Sequence, residues 1–210
     1  MKTKSIFFSL VFAAGSLALL NCGGKKESAD AHDHDAHEHQ DSAQHVSGTS
    51  NYAEAAEPTF TVDAAFQQQL AGVFTSYVTL KEAFVSSDAA KVKAEAGTTL
   101  TTVGKVDMKL LNGAAHNDWM IYLNGLNTSL QSILATEDIE MQREALSTLS
   151  DNLYKSIKAY GLGGTNAYYT FCPMAFDNQG AFWLSNEDKI RNPYFGDKMM
   201  TCGEVKEKLK

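Results

Sequence analysis

With 210 residues, 44% of them hydrophobic, the chain is long enough for one domain and its extensions. Eighteen Lys and Arg stand against 25 Asp and Glu, a net charge of −7, and no basic cluster interrupts the acidic balance. That argues against nucleic acid, whose binding depends on neutralising phosphates, and suits a cation as partner.

Residues 1–21 read as an export signal. Lys2 and Lys4 give a basic start, and the run Ser5 to Leu20 is short of the roughly 20 residues a membrane helix needs. It ends in Leu19-Leu20-Asn21-Cys22-Gly23-Gly24, which resembles the lipobox of bacterial lipoproteins, with Asn21 departing from the usual small residue. The resemblance implies cleavage before Cys22, a lipid on Cys22, and attachment to a membrane of the bacterial envelope, facing the periplasm or exposed on the outer membrane. Multiple acyl chains hold a protein stably where one would not. An ordinary secretory signal with a spare cysteine is the alternative. Without Lys2 and Lys4 there are 16 basic residues against 25 acidic ones, a net charge of −9.

Residues 22–60 form a polar tether in which only Val46 and Tyr52, before Pro58, are larger apolar residues, too few to bury a core. His32, His34, His37, His39 and His45 alternate with carboxylates in it, five of the six histidines of the chain. Imidazoles interleaved with carboxylates can wrap Zn(II) or Cu(II) without a preformed geometry. Histidines incidental to a solvated acidic tether are the alternative.

From Thr61 the apolar period becomes helical and a folded domain, residues 61–210, begins. Phe66, Leu70, Val73, Phe74, Tyr77, Leu80 and Phe84 make one stripe. Asp88 is placed to cap a second helix, Ala89 to about Val103. A third helix runs from about Ala114 to Leu134, with Leu123, Leu126, Leu130 and Ile133 on one face. Thr136 is the expected cap of a fourth, with the stripe Leu146, Leu149, Leu153, Ile157 and Tyr160, and Gly161-Leu162-Gly163-Gly164 stops it. The expected fold is mainly α: a four-helix up-and-down bundle with a small C-terminal β-hairpin and turn lobe over about residues 165–205. Ala167–Phe171 and Gly180–Leu184 are its two predicted strands, joined by a turn at Phe176-Asp177-Asn178-Gln179-Gly180.

That lobe gathers the sulfur. Cys172 and Cys202, the cysteines of the folded region, lie near Met174, Met199 and Met200. Thiolates and thioethers together suit a soft ion, Cu(I) above all. In an oxidising compartment the same two cysteines can instead form a disulfide that staples the lobe, and the methionines can simply fill core. A bridge that opens to bind metal reconciles the two. His116, in Ala115-His116-Asn117-Asp118-Trp119-Met120, is the sole histidine of the folded region and an optional further ligand if the third helix faces the lobe. Enzyme signatures are missing: there is no Gly-x-Ser-x-Gly elbow, phosphate-cradling glycine loop or His-Glu-x-x-His motif, so no catalysis is expected.

Phe171-Cys172-Pro173-Met174, then Gly180-Ala181-Phe182-Trp183-Leu184-Ser185, then Asn192-Pro193-Tyr194-Phe195-Gly196-Asp197-Lys198-Met199-Met200-Thr201-Cys202-Gly203 resemble an uncharacterised periplasmic domain family. Its members stand alone behind export signals or are fused to membrane-fusion adaptor subunits of heavy-metal efflux pumps. The segments around His116 and from Glu140 to Glu144 are similar to looser motifs of that family. The resemblance implies copper or related heavy-metal handling and an efflux adaptor as partner. It points to Cys172, Met174, Met199, Cys202 and His116 as ligands, with leucine common in the family at Met200.

The sequence therefore predicts a lipid-anchored, metal-binding envelope protein in which Trp183, Tyr194 and Phe195 shield the sulfur site. Its rival is a module, stapled by a Cys172–Cys202 disulfide, that docks onto an envelope complex.

Overall fold

The computed structural model describes residues 52–210. The predicted export signal, Cys22 and the histidines of the tether lie outside the described residues. The chain begins in a two-residue strand, β1 (Ala53–Glu54), then forms four helices: α1 (Ala64–Val85), α2 (Ala89–Val103), α3 (Gly113–Leu134) and α4 (Ile139–Tyr160). Strands β2 (Ala167–Cys172), β3 (Ala181–Ser185) and β4 (Glu204–Leu209) follow. The fold is mainly helical with a small strand-containing C-terminal lobe, as the periodicity predicts. Among the described residues, no helix is long and apolar enough to cross a membrane.

Each helix forms where an apolar stripe meets a stop signal. All seven members of the α1 stripe are buried, as are Leu126, Leu130 and Ile133 of α3 and Leu146, Leu149, Leu153, Ile157 and Tyr160 of α4. Three starts are capped by aspartate carboxylates that accept backbone N–H groups: Asp63 from Ala65 (2.7 Å), Asp88 from Lys91 (3.0 Å) and Asp138 from Glu140 (2.9 Å). The cap of α4 is thus Asp138 and not Thr136. Thr136 Oγ1 instead accepts the Asp138 N–H at 3.1 Å, and its carbonyl accepts Gln142 Nε2 at 2.9 Å, so it shapes the approach to the helix from outside. Gly161 ends α4 with φ +73°, where a Cβ would stand 2.9 Å from the Pro58 ring.

Successive helices pack on one another, α1 on α2, α2 on α3 and α3 on α4, which is the up-and-down order. The two ends of the α3–α4 pair are marked by polar contacts. Tyr160 Oη donates to the Ala115 carbonyl (2.8 Å) at one end, and Gln142 Nε2 donates to the Ile133 carbonyl (3.4 Å) at the other. The start of α3 therefore lies beside the end of α4.

The lobe is more than a hairpin. It is a four-stranded sheet in the order β1-β4-β2-β3, with β2 antiparallel to both neighbours and β1 parallel to β4. Strand β4, Glu204-Val205-Lys206-Glu207-Lys208-Leu209, carries too much charge to read as an interior strand. It is tolerated there because Glu207 Oε2 accepts from Tyr154 Oη and Oε1 from Lys158 Nζ, both at 2.6 Å. Strand β1 draws in the end of the stretch predicted as tether: Ala55 N–H donates to the Lys208 carbonyl (2.8 Å), and Phe60 stacks on Tyr160. Face-to-face rings run from α4 across the sheet, Tyr154 on Tyr169 (centroids 3.8 Å apart) and Tyr169 on Phe182 (4.5 Å).

Candidate functional site

The sulfur-bearing segment is held by side chains that reach for backbone. β2 ends at Cys172, paired with Ala181 of β3. Beyond it, Phe176, Asp177 and Asn178 all take left-handed φ angles of +50°, +54° and +66°. Asp and Asn adopt that region readily, whereas for Phe it costs about 1 kcal/mol or more. The turn is braced by the edge-on contact of Phe176 with Tyr194 (5.4 Å). The second segment, residues 190–203, has no regular structure beyond a 3₁₀ turn at Gly196–Lys198. Its backbone is organised by Asn192, which is fully buried. Asn192 Nδ2 donates to the Cys202 carbonyl (2.8 Å), its Oδ1 accepts from Tyr194 N–H (2.8 Å), and its own N–H donates to the Met200 carbonyl (2.9 Å).

The bundle clamps this segment from two helices. Arg143, on the buried side of α4, donates from Nε to the Pro193 carbonyl (3.0 Å) and from Nη2 to Ser87 Oγ (2.8 Å), while Nη1 pairs with Glu140 (2.6 Å). From α1, Glu82 Oε2 accepts both Nε (2.9 Å) and Nη2 (2.8 Å) of Arg191. Its other oxygen meets the fully buried ammonium of Lys81. Burial raises the pKa of the Glu82 carboxyl, but the hydrogen bonds and charges of Arg191 and Lys81 outweigh that and leave it below its ordinary value. Tyr77, also on α1, has its pKa pushed up to about 12 by burial. Its hydroxyl accepts the Leu184 N–H (3.2 Å). Ser150 Oγ lies 2.7 Å from it and spends its proton on the Leu146 carbonyl, so Tyr77 is the donor to Ser150.

The outcome is that Cys172 and Cys202, from segments far apart in sequence, meet with their sulfurs 2.8 Å apart. Both are free thiols, Cys172 buried and Cys202 half-buried. Burial, together with the hydrogen bond and charge of Cys172, pushes the Cys202 thiol up to about 11, with the Met174 backbone amide pulling the other way. Gly203 follows with φ +142°, and a Cβ there would lie 2.7 Å from the Trp183 ring and 3.0 Å from the Phe171 carbonyl oxygen. Trp183 thus lies over the cysteine loop, backed edge-on by Tyr194 (6.0 Å). Both rings are buried, while Phe195 is only partly so.

Met174 and Met199 line one cleft of about 390 Å³ with Glu140, Ala175, Phe176, Asp177, Asn178, Tyr194 and Phe195. Met174 is 44% exposed, so it does not fill core. Met199 and Met200 are half-buried. His116 is not brought to the sulfurs. It stands at the start of α3, beside the end of α4, while the cleft touches Glu140 in the first turn of α4. At 1.5 Å per residue that is about 30 Å along the helix. The lobe segment packs at the start of α4, at Glu140 and Arg143, whereas the antiparallel pairing sets the start of α3 beside the end of α4.

Chemically, the residues at the lobe offer two thiols and two nearby thioethers. Among the described residues no three His, Cys, Asp or Glu side chains form a group that could hold a metal ion. Sulfur–metal bonds are about 2.3 Å. Sulfurs 2.8 Å apart are too close to hold an ion at an ordinary angle between them, so the half-buried Cys202 loop must move outward to admit one. Arg143, Asn192, Tyr77 and Gly203, which set this geometry, were not singled out as site residues by sequence. The available signal was a polar residue interrupting an apolar stripe, as Arg143 and Ser150 do on α4.

Comparison with known families reaches the helices only. Residues 73–165 match the model of a family described as a protein of unknown function (DUF3347). The helical part of the chain therefore fits an uncharacterised family, and the match ends before β2 and both cysteines. No curated protein and no solved structure matches the chain.

Proposed function

We propose that this is an envelope protein, tethered by a lipid on Cys22, that binds a soft metal ion, copper as Cu(I), at Cys172 and Cys202, and that it is not an enzyme. Met174 and Met199 are the neighbouring thioether donors. The observation that carries the reading is the exposure of Met174 beside a cysteine pair of which one member is buried and the other half-buried. Core filling, the ordinary use of methionine, does not explain a thioether held at the open rim of the cleft that Met199 also lines. Thiolate and thioether together select Cu(I) over harder ions. The tether histidines His32, His34, His37 and His39 would collect Zn(II) or Cu(II) loosely, and delivery to or sequestration for an efflux adaptor is the corresponding physiological role.

The sulfur–sulfur distance favours a second reading, in which the lobe is stapled by a Cys172–Cys202 disulfide and serves as a docking module. The two are separated by titrating the full chain with Cu(I) under anaerobic reduction against a competing chelator and weighing the complex by native mass spectrometry. Metal binding predicts one copper lost in Cys172→Ser and Cys202→Ser, and held more weakly in Met174→Leu. If the reduced chain takes up no copper that depends on the cysteines, and the purified chain is two hydrogens light, the staple is the function.

A further inference from the structure

Among the described residues three exposed methionines lie outside the sulfur lobe, and two of them, Met108 and Met120, lie near an imidazole. Met108, in the 3₁₀ turn Met108–Leu110, is 38% exposed, and Met120, on α3, is 42% exposed. Between them stands His116, half-buried, at the opposite end of the bundle from the cysteines. His116 and Met120 are four residues apart on one helix and so share a face, one turn apart. Met108 is brought alongside by the turn between α2 and α3: its carbonyl oxygen lies 3.4 Å from His116 Nδ1.

That contact orients the ring. A carbonyl oxygen can only accept, so Nδ1 carries the proton and Nε2 of the neutral imidazole keeps its lone pair. An imidazole that donates one N–H to a backbone carbonyl and offers the other nitrogen is the arrangement that orients metal-bound histidines. Single exposed apolar residues are ordinary on a protein surface. Here His116 and Met120 share one face of α3, and the backbone of Met108 is held against the ring, so an imidazole and two thioether-bearing residues share one neighbourhood.

We propose that Met108, His116 and Met120 form a second copper site, separate from the cysteine pair. Imidazole suits zinc, copper, iron and nickel, thioether suits soft ions, and copper as Cu(I) is common to both. The three ligands come from a short stretch whose backbone is already folded, so binding orders only side chains. The site lies at the end of the bundle where residues 52–60 join the domain: Phe60 stacks on Tyr160, whose hydroxyl donates to the Ala115 carbonyl next to His116. The histidine-rich stretch precedes those residues in the chain, which makes this the nearer of the two sites along the sequence from the tether. The inference does not depend on the cysteine site.

The test removes that site. The full chain carrying Cys172→Ser and Cys202→Ser, with its tether histidines changed to asparagine, is labelled with carbon-13 at the methionine methyl groups. It is titrated anaerobically with Cu(I) and followed by NMR. The expected result is that the Met108 and Met120 methyls shift together, saturating at one equivalent, while Met174 does not follow them. Adding His116→Ala should remove the joint shift or weaken binding by about tenfold or more. Unmoved Met108 and Met120, or shifts indifferent to His116→Ala, overturn the proposal. Should the serine variant not fold, the same titration on the chain carrying Cys172→Ala and Cys202→Ala decides it by the same criteria.

Discussion

The bundle and the lobe are held by different physics. The bundle rests on regular apolar stripes, so its stability is spread over many equivalent contacts. Beyond its sheet, the lobe rests on a few polar side chains that reach backbone groups: Arg143 to Pro193, Asn192 to Cys202, Tyr77 to Leu184. Distributed apolar packing tolerates small losses, whereas a clamp fails when one member goes. The cysteine pair lies in the region of the second kind. Its geometry is set by residues that belong to the bundle, and its loop is free to move outward only as far as those clamps permit.

Substitutions can drive the two regions apart. Leu130→Ala, in the centre of the core, should cost about 3 kcal/mol of global stability through lost burial and a cavity. Urea unfolding should show it, and cysteine-dependent copper uptake by the remaining folded protein should be unchanged. Arg143→Met keeps the volume but leaves the Pro193 carbonyl and the Ser87 hydroxyl without their donor, at about 2 kcal/mol. Its distinguishing effect is local: amide hydrogen exchange over residues 190–203 should rise far more than over α1 to α3. Equal protection loss in both regions would erase the distinction between them.

Acid should act on the lobe clamp with the smallest effect. The folded pKa of Glu82 lies below its ordinary value of 4.5, so its contribution is present above that pH and is lost as pH falls through the folded value. Thermal unfolding of the wild type and of Glu82→Gln should therefore differ at neutral pH and converge at acid pH, once the pH has fallen below the folded value. A gap that stays constant through that range would mean that the Arg191 and Lys81 pairings do not stabilise the ionised carboxylate.

The sequence by itself determined the bundle. Spacings of three and four placed Phe66, Leu70, Tyr77, Leu130, Leu146 and Leu153 on buried faces, and Asp88 and Gly161 marked ends, because these signals are local and repeat with the period of the helix. It also brought the two cysteines into one lobe. Tertiary structure alone decided the rest. Strand β4 lies inside the sheet although its composition is charged, since Glu207 finds Tyr154 and Lys158 on a helix dozens of residues earlier. The cap of α4 moved to Asp138 because Thr136 is used by the incoming turn. His116 and the cysteines were separable only once the lobe was seen to pack at the start of α4, the end of the bundle away from His116. A periodic pattern fixes which face of an element is buried, but which end of the element meets a given loop is set by chain reversal and long-range pairing, and no local spacing encodes it.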